Sequence, residues 1–323
     1  MAGIMNFEDW KPRHNGSGSR FYEAWFLKLN DPVTRNALWV RYTLLRGQGK
    51  ASAACWYVVF DSERGKIFSG RWEEPFERLA LSGEAALFAL SGSSLGLHQA
   101  QGKGPDVGWK ISWRGGDVPA FRFVPGVLVN LGIARSNYVA PMSFGLFDGE
   151  AVVGDRRYVF CNAPGSAGHL WGSRMADNWR WAQAIFTSQE PAKNAVFEIL
   201  SAQVRVGSWL APRMTLANLW HEGRLYRAGG VLRALSNRTE PNAQGWAFHV
   251  NFGDITAEGS CVAPESMTAR LEYTDTDARR LESLNYKTGA MKLRLLKNSG
   301  EPLAQYEQAD GAAVETVRGL PWP

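Results

Sequence analysis

Sixteen residues near the middle of the chain, Gly168 to Gln183, carry an unusual share of the side chains able to do chemistry. They hold His169, Asp177, Arg174 and Arg180, together with Trp171, Trp179 and Trp181, three of the fourteen tryptophans. A carboxylic acid in apolar surroundings is held neutral and can hand on a proton. An aromatic face can hold the cation that results, each contributing roughly 1–2 kcal/mol when water is excluded. Asp177 is one candidate acid and Glu23, near the start of the chain, is the other. His169 is the candidate to position the acid or to take the final proton. Trp25, Trp171, Trp179 and Trp181 are the candidate aromatic faces, and Tyr138, Arg174 and Gln183 are candidate hydrogen-bond donors to a ligand carbonyl.

Each of these residues has a plainer use. Trp179 and Trp181 serve equally well as core. Asp177 can cap a turn or pair with Arg174 or Arg180. Glu23 falls between Phe21 and Trp25 on the more apolar face of its segment, where a carboxylate must be paired or protonated. Arg41 is the obvious cation to pair with it if the two segments are neighbours. His169 follows Gly168 in what reads as a glycine-rich loop, and loops at barrel mouths carry sites. His98, His221 and His249 are isolated, and no His or acid stands at ligand spacing, so no metal is assigned. The glycines of 165–172 lack the strand-to-helix setting of a phosphate loop, which argues against a nucleotide cofactor.

The elements that must position these groups read as strands. From Asn178 the segment alternates, with Trp179, Trp181, Gln183 and Ile185 on one face and Asn178, Arg180, Ala182 and Ala184 on the other, a period of two. Phe21–Leu29, Leu38–Leu45, Ala54–Phe60 and Lys66–Trp72 follow the same rule, the last two flanking a hairpin loop at 61–65. Short apolar runs at 85–90, 95–99, 107–113, 120–124, 127–133 and 157–161 continue the series. No stretch of this half sustains a 3.6-residue period. Such a meander closes into a barrel or sandwich, which removes exposed edges. A second series covers 196–206, 214–220, 224–228, 230–235, 245–252, 255–262, 268–273, 284–286 and 290–296. The tail suggests a short helix around 312–317. Two series of similar length predict two barrels in tandem, joined near the tryptophan-rich centre.

Composition bounds the rest. A chain of 323 residues with 45% hydrophobic and 21% charged residues is globular. Three cysteines about a hundred residues apart, without a CxxC pair, argue against zinc and a disulfide framework and read as reduced, buried thiols. The start shows no charged n-region followed by an apolar stretch, and no segment approaches the ~20 apolar residues of a membrane span. The expected location is cytoplasmic. A net charge of +5 spread over scattered basic residues excludes a concentrated nucleic-acid patch.

The segment Phe21-Tyr22-Glu23-Ala24-Trp25-Phe26-Leu27-Lys28-Leu29-Asn30-Asp31 resembles the lipocalin-like (calycin) superfamily that contains carotenoid 1,2-hydratases, tocopherol cyclases, AttH-like proteins and related pericyclases. So do His169-x-Trp171-Gly172, Asp177-x-Trp179-x-Trp181 and Leu284-Asn285-Tyr286-Lys287, in order along nearly the whole chain. The resemblance implies an all-β chain of two tandem lipocalin-like antiparallel barrels, assigned to residues 1–188 and 189–323, with a hydrophobic pocket. It further implies cofactor-free chemistry on an isoprenoid or polyene, either hydration, protonative ring closure or a pericyclic closure. The hydratase branch pairs His-x-Trp with a later Tyr-x-Asp; here the following strand reads Val196-Phe197-Glu198. The expected partner is a hydrophobic small molecule bound by a monomer or homodimer. The alternative is a carrier with the same barrel and no chemistry.

Overall fold

The structure is a computed structural model, which describes residues 6–14, 18–82, 86–124, 134–188, 190 and 194–320. The run expected at 127–133 lies outside these, as does part of the glycine/serine-rich leading arm. The chain divides into two compact units. One takes in the described residues up to Phe121, Arg135–Met175 and Thr274–Arg279. The other takes in those of Arg122–Ala134, Ala176–Tyr273 and Arg280–Pro323.

The strands of the first series are β1 (Phe21–Asn30), β2 (Ala37–Gly47), β3 (Lys50–Asp61), β4 (Lys66–Pro75), β5 (Ala80–Ser82), β6 (Ala86–Leu90), β7 (Ser93–Leu95), β8 (Gln99–Lys103), β9 (Val107–Gly115), β10 (Phe121–Arg122), β11 (Ser136–Val153) and β12 (Arg156–Gly172). Those of the second are β13 (Asn178–Phe186), β14 (Ala195–Gln203), β15 (Arg205–Val206), β16 (Trp209–Leu210), β17 (Met214–His221), β18 (Arg224–Ala228), β19 (Arg238–Asn242), β20 (Gly245–Asn251), β21 (Ile255–Val262), β22 (Ala269–Thr274), β23 (Arg280–Lys297) and β24 (Pro302–Gly319).

Hydrogen bonding orders the first sheet β4-β3-β2-β1-β12-β11-β9-β8-β7-β6-β5, with β10 beside β11. The second sheet runs β18-β17-β14-β13-β24-β23-β21-β20-β19, with β22 beside β23. These are one plan used twice: the first strand of each sheet pairs with the last, and the last two form a long hairpin. The duplication expected from two strand series is therefore present in topology, where residue-level similarity does not reveal it. The pairings along both strand orders are antiparallel, and each sheet curls so that its strands share one apolar core. Trp25, Leu27, Tyr42, Phe88, Trp109 and Phe147 meet in the first unit; Ala182, Phe197, Leu219, Trp246, Phe248 and Leu293 meet in the second.

Burial separates two kinds of strand. In β9, Val107, Trp109, Ile111 and Trp113 are buried while Lys110, Ser112 and Arg114 are exposed, so its outer face is wet. In β1 nearly every residue from both faces is buried, and so are Trp181–Phe186 of β13 and Ala195–Ile199 of β14. Polar side chains on the outer faces of these strands are therefore out of water.

Four expectations are corrected. Gly230–Leu235 is not a strand: Val231–Ser236 is a short helix, of which only Ala234 is buried. Gly230 starts it, and Leu, Arg and Ala are good helix formers with no sheet neighbour to compete. Conversely 312–317 is no helix but part of β24, held between β23 and β13, where ladder pairing overrides the local preference. His169 is not in a loop but inside β12. Its glycines serve close approach: a Cβ on Gly168 would stand 2.2 Å from Cζ of Phe26, and one on Gly165 would meet the Lys28 carbonyl oxygen at 2.3 Å. Finally, Cys55 and Cys261 are buried but Cys161 is exposed.

Candidate active site

The register of β1 decides where its acid goes. Trp25 stands opposite His169 of β12, and Glu23 opposite Trp171, so the acid, the imidazole and two indoles meet in the first unit. His169 Nε2 is 2.7 Å from Glu23 Oε1, and both side chains are fully buried. His169 Nδ1 lies 2.8 Å from the Asp9 carbonyl oxygen. A carbonyl only accepts, so Nδ1 carries hydrogen and a further proton lies between Nε2 and Oε1. The carboxylate also accepts the backbone N–H of Arg13 (2.8 Å) and of His14 (3.0 Å). The imidazole stacks on Trp25 at 5.0 Å and meets Trp10 edge-on at 6.0 Å; the Arg13 guanidinium lies over Trp171.

Every polar atom of this pair is thus occupied by the protein itself, three of the partners coming from residues 9–14. The arrangement ties the amino-terminal segment across the interior of the first unit. Arg41 is not part of it. It stands opposite Phe26, not Glu23, and so points to the other face of the sheet.

The remaining candidates part company. Tyr138 stacks on Phe26 on the outer face of the first sheet, and Arg174 pairs with Asp277 at 3.4 Å. Asp177 caps the approach to β13, its Oδ2 accepting the Arg205 N–H at 2.6 Å, with Arg205 Nε 4.0 Å away. Arg180 is not its partner and turns to Thr239 instead.

Trp179, Trp181 and Gln183 share the outer face of the second sheet, away from the apolar core. Register brings four further groups to them. Gln183 is opposite Glu198 of β14, which is opposite Asn218 of β17. Trp181 is opposite Glu315 of β24, which is opposite Asn285 of β23. The Trp181 Nε1–H donates to Glu198 Oε1 at 2.8 Å, and Lys287 Nζ sits 5.1 Å from the centre of the same indole. Glu315 Oε1 accepts from Tyr273 Oη (2.9 Å) and Ser283 Oγ (2.8 Å), and Tyr273 stacks on Trp179. Gln183, Glu198, Asn218, Asn285 and Lys287 are all 0–1% exposed.

Two buried acceptors on this face, Asn218 Oδ1 and Asn285 Oδ1, have no hydrogen-bond partner among the described residues. Acceptors left without a donor out of water are costly. Glu198, Glu315, Lys287 and the two asparagines are not candidates by sequence reasoning because only strand register gathers them. The signals were Glu198 after the apolar Val196-Phe197 and the motif Leu284-Asn285-Tyr286-Lys287, which carries Asn285 and Lys287. Among the described residues no three His, Cys, Asp or Glu side chains are grouped to hold a metal ion.

Fold and site together define a chain of two antiparallel β units with a lipocalin-like fold and a buried, ionisable outer face on the second sheet. No family profile matches the chain. Two uncharacterized proteins from strains of Mycobacterium tuberculosis are 24% identical to it over 287 residues, spanning 88% of this chain and 84% of their own length. Among solved structures, CghA in complex with Sch210972 superposes with a TM-score of 0.63 at 10% identity, covering 94% of this chain and 89% of its own. An AttH-like protein of Nitrosomonas europaea gives 0.57 at 12% identity over 96% and 95% of the two chains. Kievitone hydratase of Nectria haematococca gives 0.55 at 9% over 96% and 91%. At these identities the likeness is one of fold. No helix of the described residues is long and apolar enough to cross a membrane.

Proposed function

We propose that the protein is a cofactor-free enzyme of the hydratase, cyclase or pericyclase kind, acting on a hydrophobic small molecule at the outer face of its second sheet. One observation carries this reading: a carboxylate, an ammonium and an indole held within one buried patch, beside two amide oxygens that lack donors among the described residues. Burying ionisable groups outside a core is expensive, and such groups gather where chemistry needs them. Glu198 is the group that moves a proton to or from the substrate. Lys287 donates a hydrogen bond to a substrate oxygen as charge develops on it. Trp179 and Trp181 offer faces to an unsaturated chain and to a cationic centre.

That one fold neighbour was solved with the small molecule Sch210972, and another is a hydratase, supports a small hydrophobic substrate. The polyene or isoprenoid nature of that substrate belongs to the proposal. The test starts with native mass spectrometry against a panel of polyenes and prenylated phenols. A retained compound is then followed for an isomer of equal mass or a gain of one water. Glu198→Gln is expected to bind the compound as the wild type does while losing about 100-fold or more in turnover. Equal turnover in Glu198→Gln and Lys287→Met would remove this face from the chemistry and leave a carrier.

A further inference from the structure

The interior of the second unit changes character along its strands. Ala182, Ile199 and Ala217 make one cross-strand row of the apolar core. The next row is Arg180, Ser201 and Thr215, and the one beyond it brings Asn178 and Gln203 to Arg213. Ser201 Oγ is 2.8 Å from Thr215 Oγ1 and 2.9 Å from Thr239 Oγ1, a closed run of hydroxyls. Arg180 Nη1 donates to the Thr239 carbonyl oxygen (3.0 Å) and to Thr239 Oγ1 (3.1 Å). Arg213 Nη1 donates to the Ser201 carbonyl oxygen at 2.9 Å, and its Nη2 donates to Gln203 Oε1 at 3.0 Å and to Asn178 Oδ1.

All of these acceptors are neutral. Neither guanidinium has a carboxylate among the described residues, although both are half-buried and neighbours. Other arginines of similar burial are compensated: Arg156 pairs with Asp61 and Glu63, and Arg279 with Asp275 and Asp277. Two like charges partly withdrawn from water without a counter-charge leave a positive field that a mobile anion relieves. Among the described residues Arg180 engages the protein through Nη1 alone. Its Nε and Nη2 form the edge that receives two oxygens of one carboxylate or phosphate.

We propose that Arg180 and Arg213, backed by Thr239, form a binding site for a compact oxyanion, the carboxylate or phosphate group of a small molecule, distinct from the outer-face site. The pair's own electrostatics agree: desolvation, with Arg180 alongside, lowers the Arg213 guanidinium to about 10, and desolvation lowers Arg180. A bound oxyanion reverses that penalty, so binding stabilises the folded state.

The test is a thermal-unfolding titration with inorganic phosphate, and separately with acetate, at ionic strength held constant with chloride. A saturable rise in Tm is expected, larger with the ion whose geometry the site fits, which separates the phosphate from the carboxylate source. Arg180→Gln is expected to weaken the saturable response at least about tenfold, and Arg157→Gln, an exposed residue of the first unit, to leave it unchanged. Arg180→Lys keeps the charge without the planar edge and is expected to fall between the two. Alongside, the Arg180 Nε–H resonance of the wild type is expected to shift along the phosphate or acetate titration, which keeps the test decisive if the Gln variant does not fold. A rise in Tm that never saturates, or that is the same in Arg180→Gln, overturns the proposal, as does an Arg180 Nε–H signal unmoved by either ion.

Discussion

His169 Nε2 and Glu23 Oε1, 146 residues apart in the chain, lie 2.7 Å from one another with no exposure to solvent. The backbone N–H groups of Arg13 and His14 close the carboxylate, and the Asp9 carbonyl closes the imidazole. The pair therefore belongs to the docking of the amino-terminal segment, and its loss should register as stability. Glu23→Gln is expected to destabilise the first unit by about 3–5 kcal/mol, the usual effect of stranding one partner of a buried charged pair. His169→Phe and Glu23→Gln should be strongly non-additive. Urea unfolding measures both. A Glu23→Gln protein with wild-type stability and no turnover would instead place this pair in the reaction.

Trp181→Phe removes the N–H that Glu198 Oε1 accepts at 2.8 Å while keeping an aromatic face. The buried carboxylate then lacks one donor, which costs about 1–3 kcal/mol. The double variant with Glu198→Leu is expected to recover part of that loss, because the stranded charge goes with the residue. Chemical denaturation of the two proteins decides it, and an unchanged stability in Trp181→Phe alone would show that the bond carries little.

Acid should weaken both units through histidines that burial keeps neutral. His14 and His221 each have a pKa lowered below the ordinary 6.5, mainly by desolvation. Between that value and the lower folded one the unfolded chain binds more protons, so stability falls as pH falls through this window. His221 Nδ1 is 2.6 Å from the Tyr306 hydroxyl, which supplies the bond that a neutral ring accepts. His221→Gln is expected to flatten the second unit's share of the pH dependence, by at most about 1.4 kcal/mol per pH unit for one proton. Melting curves between pH 7 and pH 5 show whether the slope changes.

Gly168 is packed, not flexible. A Cβ there would come within 2.2 Å of Cζ and 2.3 Å of Cε1 of Phe26, so the ring must move or the strands must part. Gly168→Ala is expected to cost about 1–3 kcal/mol, with Phe26→Leu in the same chain relieving much of it. If calorimetry found Gly168→Ala as stable as the wild type, the ring would have to lie elsewhere in solution.

The sequence by itself determined the local character of this protein. The two-residue period of Phe21–Leu29 and of the segment from Asn178 identified strands, and the parity of Glu23 with Phe21 and Trp25 put the acid on an inward face. The lipocalin-like resemblance and the two strand series foretold two barrels. Tertiary structure decided which partners those strands face. Arg41 looked like the cation for Glu23, but the β1–β2 register sets it opposite Phe26 and on the other side of the sheet. Glu198, Glu315 and Lys287 reach Trp181 only because β14, β24 and β23 pair as they do, and Ala312–Val317 becomes strand only between two neighbours. Period and composition are properties of a few consecutive residues. Register is a property of the whole sheet, and a slip of one residue reverses which face each side chain serves.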